Sequence, residues 1–427
     1  MSILNSLASP SADPSPAPGT TDELMARVKG LLQVPKPEGG IILNMIVKND
    51  AMDDESHVLL RCLESCRRLV SGVSLTFTHI HAPGIMMKEM TRVWSQNTGI
   101  PVCTHGYHWI DDFADARNTA LKHAHEDFPK AEWLLLLDAD EELVLSGHDS
   151  EMREAMKIAD TSTFAFAIPL VFFTQVILRV NLIRADRHAW SYRYAHHESL
   201  ELNGAPFNFQ KLGSLTDPTK GPHIITKQDG ARTRDPNKTQ KEIDKLKQAW
   251  ATTSIPRYLF FLGALFLGTG KTQDAYDAFS DYVNHETDPI NTGLVYCALL
   301  NLGRLTEHDD EKEQHWLAAY DRCPGRIEAL CELAVLHGLH SQWARAFLYA
   351  QAAALAPEPS SFREYLEPSY AQWRALDLLC ITLINLGRYA MAAKMLEALL
   401  ARPGLPSVEV PRVRTNLMMA KNNGVTP

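Results

Sequence analysis

No run of about 18 apolar residues occurs in the chain, which excludes an α-helical membrane span. Neither GxxxxGK(S/T) nor GxGxxG is present, so a phosphotransferase or hydrolase built on a phosphate-cradling glycine loop loses its support. The seven cysteines, at 62, 66, 103, 297, 323, 331 and 380, include no CxxC pair and no disulfide-rich framework. They read as reduced, mostly buried thiols of a cytoplasmic protein. Positive charge is also in short supply: the net charge of −9 argues against a nonspecific nucleic-acid coat. Residues 1–20 are rich in Ser, Ala and Pro and lack the positive start and apolar core of a secretory signal. A disordered leader is expected there, then a short helix over 21–32 capped by Thr20 or Thr21, so that 1–39 stands apart from the folded domains.

What is present is ordinary for a soluble globular protein, with 45% apolar and 22% charged residues. At 427 residues the chain exceeds one core, and two domains are expected. From Gly40 the pattern alternates: strands over 41–47, 73–80, 101–104 and 133–137, helices over 57–69, 86–96 and 113–125. Such alternation predicts an α/β fold, a Rossmann-like mixed sheet with flanking helices over 40–220. Shorter strands at 164–168, 171–173 and 180–183 read as antiparallel additions. Residues 221–254 read as a linker with a basic loop and a helix, polar and mixed-charge over 221–247; the strip from Lys220 to Lys247 holds Lys227, Arg232, Arg234, Lys238, Lys241 and Lys245, relieved only by Asp229, Asp235, Glu242 and Asp244. The strip is a solvated linker with a charged helix starting near Lys238, or a mobile loop closing over a diphosphate.

Beyond 255 only helical periodicity remains. Pro256, Pro289, Pro324 and Pro357 recur at intervals of 33, 35 and 33, a period that predicts helix–turn–helix repeats over 255–427. Leu262, Gly263, Phe266, Ala275, Phe279 and Tyr282 fall on the small-and-large pattern of a tetratricopeptide repeat. Units over 327–357 and 373–403 follow it, 289–324 fits loosely, and a closing helix near 413–421 caps the end.

The most informative stretch is Trp133-Leu134-Leu135-Leu136-Leu137, a buried strand that runs into Asp138-Ala139-Asp140-Glu141-Glu142. Carboxylates at the carboxyl end of a central strand lie where open α/β sheets bind ligands. Two of them one residue apart suit Mg²⁺ or Mn²⁺, hard cations that also take phosphate oxygens. The bland alternative is a solvated acidic helix start.

Several segments together resemble family-2 glycosyltransferases. Met45-Ile46-Val47-Lys48-Asn49-Asp50 looks like that family's opening strand and loop. Trp109-Ile110-Asp111-Asp112-Phe113-Ala114-Asp115-Ala116-Arg117-Asn118-Thr119-Ala120 is similar to its W-x-x-D-F-A-x-A-R-N-x-A segment. Asp138–Glu141 matches a DxD-type motif, and Tyr194-Ala195-His196-His197-Glu198 a later H-E element. The resemblance implies a GT-A-type catalytic domain carrying a tetratricopeptide tail. One departure stands out: the loop after the second strand, Thr78-His79-Ile80-His81-Ala82-Pro83-Gly84, lacks the carboxylate that family members commonly aim at the nucleotide base.

The implied activity is a metal-dependent, inverting transfer of a sugar from a nucleotide-sugar donor to a protein, peptide, glycan or other large acceptor presented along the repeats. Donor contacts are implied at Val47, Asn49, Asp50, Asp112, Arg117, Asn118 and Asp138. Asp140 would be the closer metal ligand, Asp138 would face the ribose, and His223 would be a third ligand. Glu198 is the candidate general base with His197 beside it. Arg117 would meet the diphosphate or brace the carboxylates, unless it forms a structural ion pair with Asp112 or Asp115. Asn49 and Asp50 read equally as a turn. His105, His108, His123 and His125 show no regular ligand spacing, and Trp109 and Trp190 read as packing residues. The rival class is a non-catalytic interaction scaffold whose α/β domain is degenerate, and the loop at 78–84 favours it.

Overall fold

The computed structural model describes residues 21–31, 40–50, 55–81, 83–172, 175–186, 189–205, 207, 209–215, 217–227, 229, 235–288, 291–357 and 365–424. Two compact units emerge: Met1–Phe172, Leu178–Gly213 and Thr219–Glu242 in the first, Phe173–Ile177, Ser214–Pro218 and Ile243–Pro427 in the second. Among the described residues no helix is long and apolar enough to cross a membrane.

The first unit opens with a helix, α1 (Thr21–Lys29), and then alternates strand and helix. β1 (Ile41–Lys48), β2 (Gly72–His79), β3 (Val102–His108) and β4 (Trp133–Leu136) are separated by α2 (Ser56–Cys66), α3 (Ile85–Thr98) and α4 (Phe113–Asp127). β1 pairs in parallel with both β2 and β4, and β2 with β3. β1, β2 and β4 are buried along nearly their whole length, as continuous apolar strands covered on both faces must be. Asn44 breaks the apolar run of β1, and its amide is satisfied by donating to the Ala120 carbonyl of α4 at 2.8 Å.

The sheet continues through β5 (Glu141–Val144), β6 (Ala165–Phe172), β7 (Gln175–Arg184), β10 (Phe209–Lys211) and β11 (His223–Thr226), with α5 (Asp149–Ile158) between β5 and β6. The order is β3-β2-β1-β4-β7-β6-β11-β5, with β10 also on β6; β8 (Trp190–Arg193) and β9 (Ser199–Leu202) make a separate antiparallel pair. The expected break in this region disappears: the strands read at 164–168 and 171–173 merge into one, β6 (Ala165–Phe172), with Phe173 outside the described residues. Its Pro169 falls between the pairing of 165–167 with β10 and of 170–171 with β11, where no ladder donor is required. The polar stretch after residue 220 is also not a linker throughout, because β11 inserts between β6 and β5 and α6 (Lys238–Thr253) follows. Arg232 and Arg234 lie outside the described residues.

The second unit consists of helix pairs: α7 (Arg257–Gly268) with α8 (Thr272–His285), α9 (Thr292–Leu305) with α10 (Asp309–Arg322), α11 (Glu328–Leu339) with α12 (Trp343–Leu355), and α13 (Ala375–Asn385) with α14 (Tyr389–Leu400). α15 (Val410–Asn423) closes the stack. Small residues set the approach within pairs: a methyl at Gly263 would stand 2.8 Å from the Phe279 ring, and one at Gly303 2.7 Å from Trp316 Cδ1. The loosely fitting 289–324 segment is therefore a full helix pair, with Pro289 itself outside the described residues. The segment before α13 is tied to the repeats by charge: Arg304 donates to Glu332, Glu367 and the Tyr370 hydroxyl, and Arg326 to Glu328 and the Tyr365 carbonyl.

Candidate functional site

The chain winds from β1 outward to β2 and β3, then returns to the other side of β1 as β4. That reversal opens a crevice at the carboxyl ends of β1 and β4, the place where sheets of this kind take ligands. The β1–β4 ladder ends at Asn44 and Leu136, so Val47 to Asp50 and Leu137 to Asp140 emerge beyond it. Val47 is buried opposite Phe77 in β2. Asn49 is buried and donates its amide to the Gly84 carbonyl at 3.1 Å, while its N–H reaches the Thr78 carbonyl at 2.9 Å. Asp50 bridges to Pro83. Asn49 and Asp50 thus stitch β1 to the loop after β2, and Ala82 of that loop lies outside the described residues.

The aromatic and acidic segment before α4 divides its duties. Asp112 caps the helix, accepting from the Asp115 N–H at 2.9 Å. Asn118 acts as a strand edge: its amide nitrogen donates to the Tyr192 carbonyl at 2.9 Å and its oxygen accepts from the Tyr192 N–H at 2.6 Å. Arg117, on the same turn, reaches Glu198 Oε1 through Nε at 2.5 Å and Asp138 Oδ1 through Nη2 at 2.7 Å. The expected alternative pairing with Asp112 or Asp115 is replaced by these two carboxylates, which come from 21 and 81 residues away.

Glu198 follows a tight loop in which Tyr194 and His197 both hold left-handed backbone, at φ 74° and 52°. The loop is pinned to α4 by the Phe113 N–H donating to the Ala195 carbonyl at 2.9 Å. His197 turns away from the carboxylates and pairs through Nε2 with Glu242 at 3.0 Å. His223 is likewise not brought to Asp138 and Asp140. It stands opposite Val144, three residues up β11 from the Thr226–Glu141 pair, about 10 Å at strand rise. Its Nδ1 lies 3.0 Å from the Gly221 carbonyl.

The acidic cluster is a turn into β5 rather than a helix start. The Asp138 N–H donates to Glu141 Oε2 at 2.9 Å, and the Glu141 N–H to the Asp138 carbonyl at 3.1 Å. Arg179 of β7, which sequence reasoning passed over, completes the cluster by reaching Asp138 Oδ2 at 3.4 Å and pairing with Glu141. Its only signal in the sequence is a charge set within an apolar strand. Tyr192 was missed too; it is half-buried, with its ring 5.4 Å from the Arg117 guanidinium. Burial pushes the Asp138 carboxyl up, but the guanidiniums of Arg117 and Arg179 outweigh it and hold the group well below the usual carboxylate range. Asp140 lacks that help: burial first, and then the charge of Asp138, raise it to about 6.

For a divalent cation the donor set is all oxygen, and the described residues gather no group of three His, Cys, Asp or Glu ligands. The oxygens of Asp138 are engaged by arginines, whereas the Asp140 carboxylate accepts only from its own main chain and has no ion pair among the described residues. One carboxylate free of ion pairs fits an ion of the Mg²⁺ or Mn²⁺ class whose other ligands are water and substrate phosphate.

No family model matches the chain, and neither does any curated protein. Solved structures similar to it include MamA, at 16% identity over 39% of this chain and 85% of that one, with TM-score 0.31. YrrB, described as a TPR protein with an unusual peptide-binding site, is 14% identical over 44% of this chain and 85% of its own, with TM-score 0.31. S. aureus TarS 1–349 is 10% identical over 76% of this chain and 98% of its own, with TM-score 0.26.

Proposed function

We propose that the chain is a glycosyltransferase of GT-A type, moving a sugar with inversion from a nucleoside-diphosphate donor to a protein, peptide, glycan or other large acceptor held by its helical repeats. The observation that carries this reading is Arg117, which joins Asp138 at the crevice to Glu198 of the facing loop. A guanidinium shared between two carboxylates fixes both at the place where an anionic leaving group and an incoming nucleophile must meet.

In the proposed step an acceptor hydroxyl or amide attacks the anomeric carbon, the bond from that carbon to the diphosphate oxygen breaks, and the acceptor proton passes to Glu198. Oε1 of Glu198 is taken by Arg117; Oε2 is left to receive the proton. Asp140 would hold Mn²⁺ or Mg²⁺, which supplies charge neutralisation for the departing diphosphate. Asp138 would face the donor ribose, while Asn118, Asp112, Asn49 and Asp50 shape the site through the backbone they bind.

Calorimetry with UDP, GDP, CDP and TDP, each with and without Mn²⁺, tests the reading, with Asp140→Ala alongside. Manganese-dependent binding of one nucleotide, lost in the variant, is expected and would name the donor class. Failure of all four to bind would favour an interaction scaffold with a degenerate α/β domain, the reading that the carboxylate-free residues His79, Ile80, His81 and Pro83 favour.

A further inference from the structure

Two arginines meet Asp138, and they are not equivalent. Arg117 is closed: Nε and Nη2 are bonded at 2.5 and 2.7 Å, and its side chain is 16% exposed, like that of Glu198. Arg179 is open. Its side chain is 31% exposed, it is anchored at its far side by Glu141, whose side chain is 4% exposed, and its contact with Asp138 is long at 3.4 Å. The β4–β7 register sets it there, since Leu135 pairs with Leu182 and the same register carried on faces Asp138 with Arg179. Asp138, Asp140, Glu141, Glu142, Glu198 and Asp229 outnumber Arg61, Arg117, Arg179 and Lys227, so the crevice repels a diphosphate unless cationic groups turn towards it.

We infer that Arg179 is a diphosphate-binding residue of the donor site: anchored on Glu141, its guanidinium leaves Asp138 for the donor's phosphate oxygens. The inference rests on the glycosyltransferase reading and adds to it a phosphate contact independent of the cation. A planar guanidinium with free N–H groups suits two phosphate oxygens at once, where an ammonium meets them as a point charge. Arg117, the less exposed and held by two short bonds, braces; Arg179, more exposed and on a long contact with Asp138, binds.

The test is calorimetry in Mn²⁺ with a nucleoside, its monophosphate and its diphosphate, in whichever of the uridine, guanosine, cytidine and thymidine series binds the wild type. Arg179→Gln is expected to lose about ten- to a hundredfold in diphosphate affinity, the range of a charge-assisted hydrogen bond, and to keep its nucleoside affinity. Arg179→Lys should recover part of the loss. Because Gln leaves Glu141 without its cation, the double variant Arg179→Gln/Glu141→Gln serves as the well-folded control and should show the same selective loss. An equal loss for nucleoside and diphosphate, or none for either, overturns the assignment of Arg179. A wild type that binds no nucleotide overturns the glycosyltransferase reading itself, and this inference with it.

Discussion

Asp138 and Asp140 leave the same strand end one residue apart, yet their carboxyls meet different surroundings. Arg117 and Arg179 hold Asp138 ionised, while Asp140, half-buried beside that charge, rises from its ordinary 3.8 to about 6. An acid whose folded pKa is raised binds a proton that the unfolded chain has already released between about pH 4 and 6. Stability therefore falls as pH climbs through that window, and the deficit is complete above about pH 6. Asp140→Asn removes the deficit. In chelator-treated buffer the variant should match wild type near pH 4 and exceed it above pH 6 by at most about 3 kcal/mol, from two pKa units. Denaturant melts at several pH values would show this, and an advantage that does not grow with pH would refute the raised pKa. The pair of aspartates was legible in the sequence; their inequality was not, because it depends on arginines 21 and 41 residues away.

At the scale of elements, α4 and the β8–β9 pair form one working part. Asn118 closes two main-chain hydrogen bonds with Tyr192 of β8, and the loop that follows β8 delivers Glu198 to Arg117. Asn118→Ala leaves a main-chain donor and acceptor without partners, so it should cost about 1–3 kcal/mol in denaturant unfolding. A donor-contact role would instead show as weakened nucleotide binding with stability unchanged. The motif around Arg117 was visible as a unit, but its separate duties were not. Capping by Asp112 could be read locally from its place before the helix, whereas the pairing of Asn118 with Tyr192 spans 74 residues. The long strands and helices were legible from periodicity. β5, β8, β9 and β10, at three or four residues each, carry too few positions for any period to register. β6 reads in the sequence as two strands, 164–168 and 171–173, and its change of partners at Pro169 explains why the strand runs on.

Across the whole molecule the two units owe their legibility to different signals. The repeats announce themselves by a period near 34 and by glycines that admit Phe279 and Trp316, a pattern that survives loose spacing in one pair. The sheet announces its parallel part as far as β4, and β6 and β7 only as shorter additions. Beyond that its order depends on β11 returning from past residue 220 to pair with β5 and β6, a long-range choice that local pattern does not encode. The cysteines sample both units and offer a single test of the packing. Cys62, Cys66, Cys297, Cys323, Cys331 and Cys380 are buried; Cys103, on the edge strand β3, is partly open. Burial raises the thiols of Cys62, Cys66, Cys331 and Cys380, to about 12 in Cys66 and Cys380, so they are neither reached by a reagent nor ionised at neutral pH. Cys103 is also raised, by burial and then by Asp127, so it should react slowly but measurably as pH rises. An aromatic disulfide reagent at pH 8 should therefore titrate one thiol in the native protein and all seven after unfolding in guanidinium. Two or more fast-reacting thiols in the native state would mean that a core opens, and mass mapping of the labelled peptides would tell which unit it belongs to.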